Sequence, residues 1–204
     1  MSNKRKQIIE TATRLFGCYG YHAVGIDWVI AEARVTKTTM YRHFPSKVAL
    51  IAEVLRQRQR EFADSLEEAL AKAESPLHGL EKVFEWHQDW FNTQTFTGCM
   101  FAHAAAEFPS KGTPIQEIAV EQKGGLTQRI ERLLVQLVPA DRAKTLAPIM
   151  IMLLDGATLS VQVAGQREAA REAWGAARAL IAMYSADPRP QAVSPVGFMD
   201  YDTP

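Results

Sequence analysis

The residues with the most chemical content fall in one stretch, Val35-Thr36-Lys37-Thr38-Thr39-Met40-Tyr41-Arg42-His43-Phe44-Pro45-Ser46-Lys47. Hydroxyl and ammonium donors suit phosphate oxygens, whereas a guanidinium or imidazole can also reach base edges in a DNA groove. The spacing predicts a short helix, a tight break and the start of a longer helix. Thr36 is placed to cap the first helix, with Val35 and Met40 as a hydrophobic staple across the cap. Pro45 stops that helix and Ser46 caps the next. Lys37 and Lys47 then occupy first helical positions, where the macrodipole disfavours a cation. An anion docked at both helix starts would remove the conflict. The plain alternative is a short surface helix that happens to be polar.

The rest of the chain must position these groups. Residues 1–60 hold 11 Lys and Arg against 4 Asp and Glu, and the remainder 12 against 19, so a net charge of zero conceals a basic head on an acidic body. That asymmetry is expected when one end meets a polyanion. Cys18 and Cys99 give no disulfide framework and fit a reducing interior. No apolar signal core follows Met1, and no run is expected to reach the ~20 apolar residues that span a bilayer, so a cytoplasmic location is expected.

Helical periodicity runs throughout and no segment alternates as a strand, so the fold is expected to be all-α, with about nine helices. The first helix carries Ile8, Ile9, Ala12, Leu15 and Phe16 on one stripe. A second spans roughly Ile26 to Ala33, and the turn Arg34-Val35 joins it to the polar helix; together they make a three-helix helix-turn-helix head over residues 1–47. A larger helical body is expected over 48–185. It contains an aromatic-rich helix from Pro76, an alanine-rich one over Cys99–Phe108, one opening at the Thr113-Pro114-Ile115-Gln116 capping box, and two apolar helices from about Asp141 to Tyr184. Arg56, Arg58 and Arg60 read as a solvated face. Residues 186–204 hold four of the ten prolines without helical period and read as an irregular or disordered tail.

The order Ile8-Ile9, Ala12, Leu15-Phe16, Gly20-Tyr21, Ile26-Asp27, Val35-Thr36-Lys37, Thr39-Met40-Tyr41, His43-Phe44, Ser46-Lys47 and Leu50 resembles the DNA-binding head of TetR-family transcriptional regulators. The later runs Gly98-Cys99-Met100-Phe101 and Leu154-Asp155-Gly156-Ala157 are similar to one branch of that family. The resemblance implies a homodimer through the last two helices (about 141–184), a double-stranded DNA operator, and a small-molecule effector that releases the DNA, so a repressor. By the same resemblance Thr36, Lys37, Tyr41 and Lys47 are expected on phosphates, and Thr38, Thr39, Arg42 and His43 in the groove. His43 is equally readable as a structural cap. Gly25, Trp28 and Arg34 depart from the pattern; a positive φ at Arg34 would carry strain of ~1 kcal/mol.

For the body, a pocket with aromatic walls and polar anchors is expected at Trp86, Trp90, Phe91, Met100, His103 and Glu107. Cys99 and His103 stand i, i+4, a spacing able to hold a metal or a sensing thiol, but two ligands do not make a site and a buried cysteine beside a pocket histidine is the simpler reading. No metal and no cofactor are expected. Phosphate loops, nucleophile elbows and clustered carboxylates are absent from the sequence, so an enzyme is not expected. A helical adaptor that binds only protein would need no basic head.

Overall fold

A computed structural model of the chain describes residues 3–186; of the tail expected over 186–204 only Ala186 falls within them, and it closes the last helix, while 187–204 lie outside the described residues. The described residues form nine helices and no strand: α1 (Asn3–Tyr19), α2 (Ile26–Glu32), α3 (Lys37–His43), α4 (Lys47–Leu70), α5 (Pro76–Phe91), α6 (Met100–Glu107), α7 (Pro114–Leu134), α8 (Ala140–Ala164) and α9 (Ala169–Ala186). The all-α expectation is met, with element ends within two residues of the sequence reading for most helices.

The reasons are local at four of the nine helix starts. Thr36, Ser46, Ser75 and Thr113 each accept a hydrogen bond from the backbone N–H three residues on, which satisfies a donor the helix itself leaves free. Pro76 and Pro114 follow two of these caps, where a missing N–H costs nothing. Gly25 begins α2 with no side-chain bond, as its lack of a hydroxyl requires. Arg34 does take φ +48, a left-handed conformation, to turn the chain from α2 into α3.

Side chains on one stripe of each helix build two apolar cores. The first joins α1, α2 and α3 to the start of α4, and also takes in Met100, Phe101 and Ala104 of α6 and Ile115 and Ile118 of α7. The head's core therefore does not stop at residue 47. The second core lies among the end of α4, α5, the end of α7, α8 and α9. Pro148 sits inside α8, which begins at Ala140. Pro148 and Lys144 are both exposed, so water can serve the carbonyl that proline leaves unbonded.

One expectation needs correction. Helix α8 is long and apolar enough to cross a membrane by length and composition. Its buried positions, among them Leu146, Met150, Leu154 and Val161, instead belong to the second core, where α8 packs against α7 and α9. A different stripe of α8 stays open: Met152, Leu159 and Val163 are 63, 59 and 77% exposed, with Gly156 between them. On α9, Met183 is likewise exposed, in line with Gly175 and Ala179 at intervals of four.

Candidate nucleic-acid interface

Helix α3 divides its seven residues cleanly. Met40 is fully buried and Phe44, its C-cap, nearly so, which presses one side of the helix into the first core. The opposite stripe, Lys37, Thr38, Tyr41 and Arg42, is exposed. Because i, i+1, i+4 and i+5 share a helix face, this spacing brings an ammonium, a hydroxyl, a phenol and a guanidinium onto one surface. Behind it, the Thr36 hydroxyl accepts from Thr39 N–H at 3.1 Å and lies 2.9 Å from the Thr39 hydroxyl. Those two threonines therefore shape the helix start as well as bordering the surface.

The other expected contact residues are less free. Lys37 pairs with Asp27 of α2 at 3.6 Å, both ends well exposed, so the pair is weak and yields easily to a phosphate. Lys47 donates to the carbonyl of His22 at 3.2 Å. His43 is half-buried beside Phe44, and its buried Nε2 finds no partner. Arg42 and Thr38 are both exposed.

The head is tied to the body by a contact that the sequence reading placed elsewhere. Glu107, expected in a body pocket, spends its carboxylate on the head: one oxygen accepts from Tyr21 N–H at 2.9 Å, the other from His22 N–H at 2.6 Å. The His22 ring returns an Nε2–H bond to the Glu107 carbonyl at 2.9 Å and packs against Phe108 at 4.7 Å. Fully buried Tyr21 donates its hydroxyl to the Met100 carbonyl at 2.8 Å. Burial, with the charges of Cys99 and Glu107 adding, pushes the Tyr21 pKa well above that of an ordinary tyrosine, so the hydroxyl keeps its proton. Gly20, at φ +82, makes the turn possible; a Cβ there would meet Glu107 Oε1 at 3.0 Å. The α1–α2 turn is thus bolted to the C-terminal end of α6. The bolt joins residues more than eighty positions apart, and no local pattern could reveal it.

The remaining residues expected around a pocket are scattered. Phe91 is fully buried in the second core. Trp86 donates to the Ser65 hydroxyl at 3.1 Å and borders a groove of about 270 Å³ against α7. His103 accepts from the Gln162 amide at 3.0 Å, and Gln162 in turn covers Gly98, where a Cβ would lie 2.4 Å from its oxygen. Only Trp90 and Met100 face a common cavity. Cys99 caps α6 and, with Trp90, lines a void of about 40 Å³ that also meets His87, Thr158 and the Lys123–Asp155 ion pair. His87 was not expected at this site. Its Nδ1–H donates to the Val83 carbonyl at 2.7 Å, and burial lowers its pKa from 6.5 to about 4. Among the described residues, no three histidine, cysteine or carboxylate side chains gather as a metal site would require.

Comparison with known proteins follows the same division. Residues 8–54 match the profile of the bacterial regulatory proteins of the tetR family. The chain is 25% identical over 160 residues to the HTH-type transcriptional regulator LmrA of Bacillus subtilis, covering 77% of this chain and 85% of that one. It is 39% identical to the regulator RutR of Escherichia coli, but over 57 residues only. A crystal structure of a TetR-family transcriptional regulator from Streptomyces coelicolor superposes with a TM-score of 0.85 at 28% identity, covering 91% of this chain and 97% of that one.

Proposed function

This chain belongs to the TetR family of transcriptional regulators, and we propose that it is a homodimeric repressor released from its operator by a small molecule. The observation that carries the reading is the exposed stripe Lys37, Thr38, Tyr41 and Arg42 held above a fully buried Met40. In this reading α3 lies in the major groove. Lys37, Thr36 and Tyr41 bind phosphates, Lys47 exchanges the His22 carbonyl for a phosphate, and Arg42 and Thr38 reach base edges. Thr39 and His43 border the groove wall.

The open stripes of α8 and α9 support the dimer. Met152, Leu159, Val163 and Met183 form an apolar surface with small residues between them, suited to a four-helix seam between two copies. A twofold axis there carries two heads, so the operator is a near-palindrome with half-sites about 34–36 Å apart. The regulator works in the cytoplasm, where its DNA is.

The test is fluorescence anisotropy with DNA from upstream of the protein's own gene, over a salt series and beside unrelated DNA. Specific binding that weakens steeply with salt is expected. Absence of binding to any DNA at low salt would overturn the reading and return attention to Cys99 and His103.

A further inference from the structure

A crevice of about 520 Å³ opens between α1, α4 and the loop joining α5 to α6. Its volume is that of a small-molecule site, and none of its lining residues belongs to α8 or α9, so it stays open in a dimer built on those helices. The floor is apolar: Phe62, Trp90 and Met100, with the first two rings edge to face at 5.4 Å. Over the Phe62 ring lies the Arg58 guanidinium, 4.4 Å from its centroid.

Arg58 was expected to be one of three solvated arginines. It is instead half-buried, and its Nε, shielded from water, has no hydrogen-bond partner although its terminal nitrogen reaches Glu61 at 2.7 Å. An unpaired buried donor costs free energy that an acceptor oxygen would recover if the guanidinium turned toward it. The charges at the rim are already balanced: Arg58 with Glu61, Arg14 with Glu32, and Glu10 with Lys6. A ligand here has no net charge to neutralise.

From the aromatic floor, the unsatisfied Nε and the balanced rim, we propose that this crevice is the effector site, and that it takes a neutral, planar aromatic molecule carrying a carbonyl oxygen. The rings lie against this apolar floor, and the oxygen accepts from Arg58 once its guanidinium turns away from Phe62. Its effect on DNA rests on the regulator reading given above. The site is placed to have one, because one wall is α1 of the head. Gly17 of α1 meets Thr97 so closely that a Cβ there would lie 3.0 Å from the threonine oxygen. A molecule entering the crevice acts on that tight contact.

Equilibrium dialysis with coumarin (neutral, bicyclic, with a lactone carbonyl) and naphthalene (no acceptor) tests the assignment without DNA. Arg58→Met keeps an apolar chain over Phe62 and removes the donor. Coumarin affinity is expected to fall roughly tenfold in this variant while naphthalene affinity holds. Cys18 lines the same crevice and is exposed, so in a Cys99→Ala background its alkylation rate reports occupancy directly. Coumarin is expected to slow it severalfold. Equal losses for both compounds, no loss for either, or an unaltered Cys18 rate at saturating coumarin would overturn the proposal. The thiol measurement decides alone if Arg58→Met does not fold. A failure here leaves operator binding standing, and a failure of operator binding leaves the dialysis result intact.

Discussion

The head and the body of this protein differ in what they bury and in where they leave space. In the head, Ile8, Ile9, Tyr21, Val24, Val29 and Met40 are all fully buried, and the helices that hold them are short and closely joined. In the body, buried positions include His87, Gln88 and Thr158, and voids and grooves run between α4, α5, α7 and the crevice below α1. A reading surface must hold its side chains in one geometry, so voids are costly there. A sensing body needs space that a ligand can fill, and it accepts weaker packing to keep it.

This contrast can be broken most forcefully by cutting a hole in the head. Phe16→Ala, at a 1% exposed position, is expected to cost about 3–5 kcal/mol in urea unfolding. Trp90→Ala, on a half-buried ring at the cavity wall, should cost clearly less, and equal losses would refute the difference in packing. Next in size is the effect of acid on the body. His87 is neutral when folded, with its pKa lowered to about 4, and takes up a proton near 6.5 once unfolded. The unfolded chain binds more protons between those values, so this residue's contribution is complete above about pH 6.5 and is lost as pH falls toward 4. It amounts to about 3 kcal/mol, and His87→Leu should flatten the slope of stability against pH in that window. A slope unchanged by the substitution would contradict the burial argument.

On the reading surface the effects are smaller and differ in kind. Arg42→Ala should cost about 1–3 kcal/mol on the operator and relax its preference at one base pair, whereas Lys37→Ala should weaken all DNA alike and lower the salt slope by about 1. If both variants lose affinity uniformly, Arg42 is a phosphate contact. Smallest of all is Arg34→Gly. It relieves a left-handed backbone at φ +48, for a net gain of ~1 kcal/mol or less in thermal unfolding, because glycine also gains freedom in the unfolded chain.

The same division governs what could be read from sequence. Caps at Thr36 and Ser46, the strain at Arg34 and the buried stripe of α1 depend on neighbours within one or two helical turns, and the local pattern specifies them. The body defeats such reading, because its important contacts join distant segments. Glu107 on an apolar helix looks like a pocket anchor until the fold brings Tyr21 and His22 to it. Arg58 is the exception, since Glu61 and Phe62, which enclose it, stand only three and four residues on in the same helix. His87 carried no distinguishing neighbour at all; only burial separates it from the exposed His22. The apolar character of α8 and α9 was legible, yet which residues of α8 remain open depended on how α7 and α9 divide it.

The Glu107 bolt has one more consequence. Two successive main-chain amides of the head, those of Tyr21 and His22, are held by a single side chain of the body rather than by any helix. Their hydrogens can exchange with solvent deuterons only when that carboxylate lets go. The molecule therefore carries a built-in clock for the parting of its two halves. Two peaks in a hydrogen-exchange spectrum time the motion, in the apoprotein and with no dye, operator or effector attached.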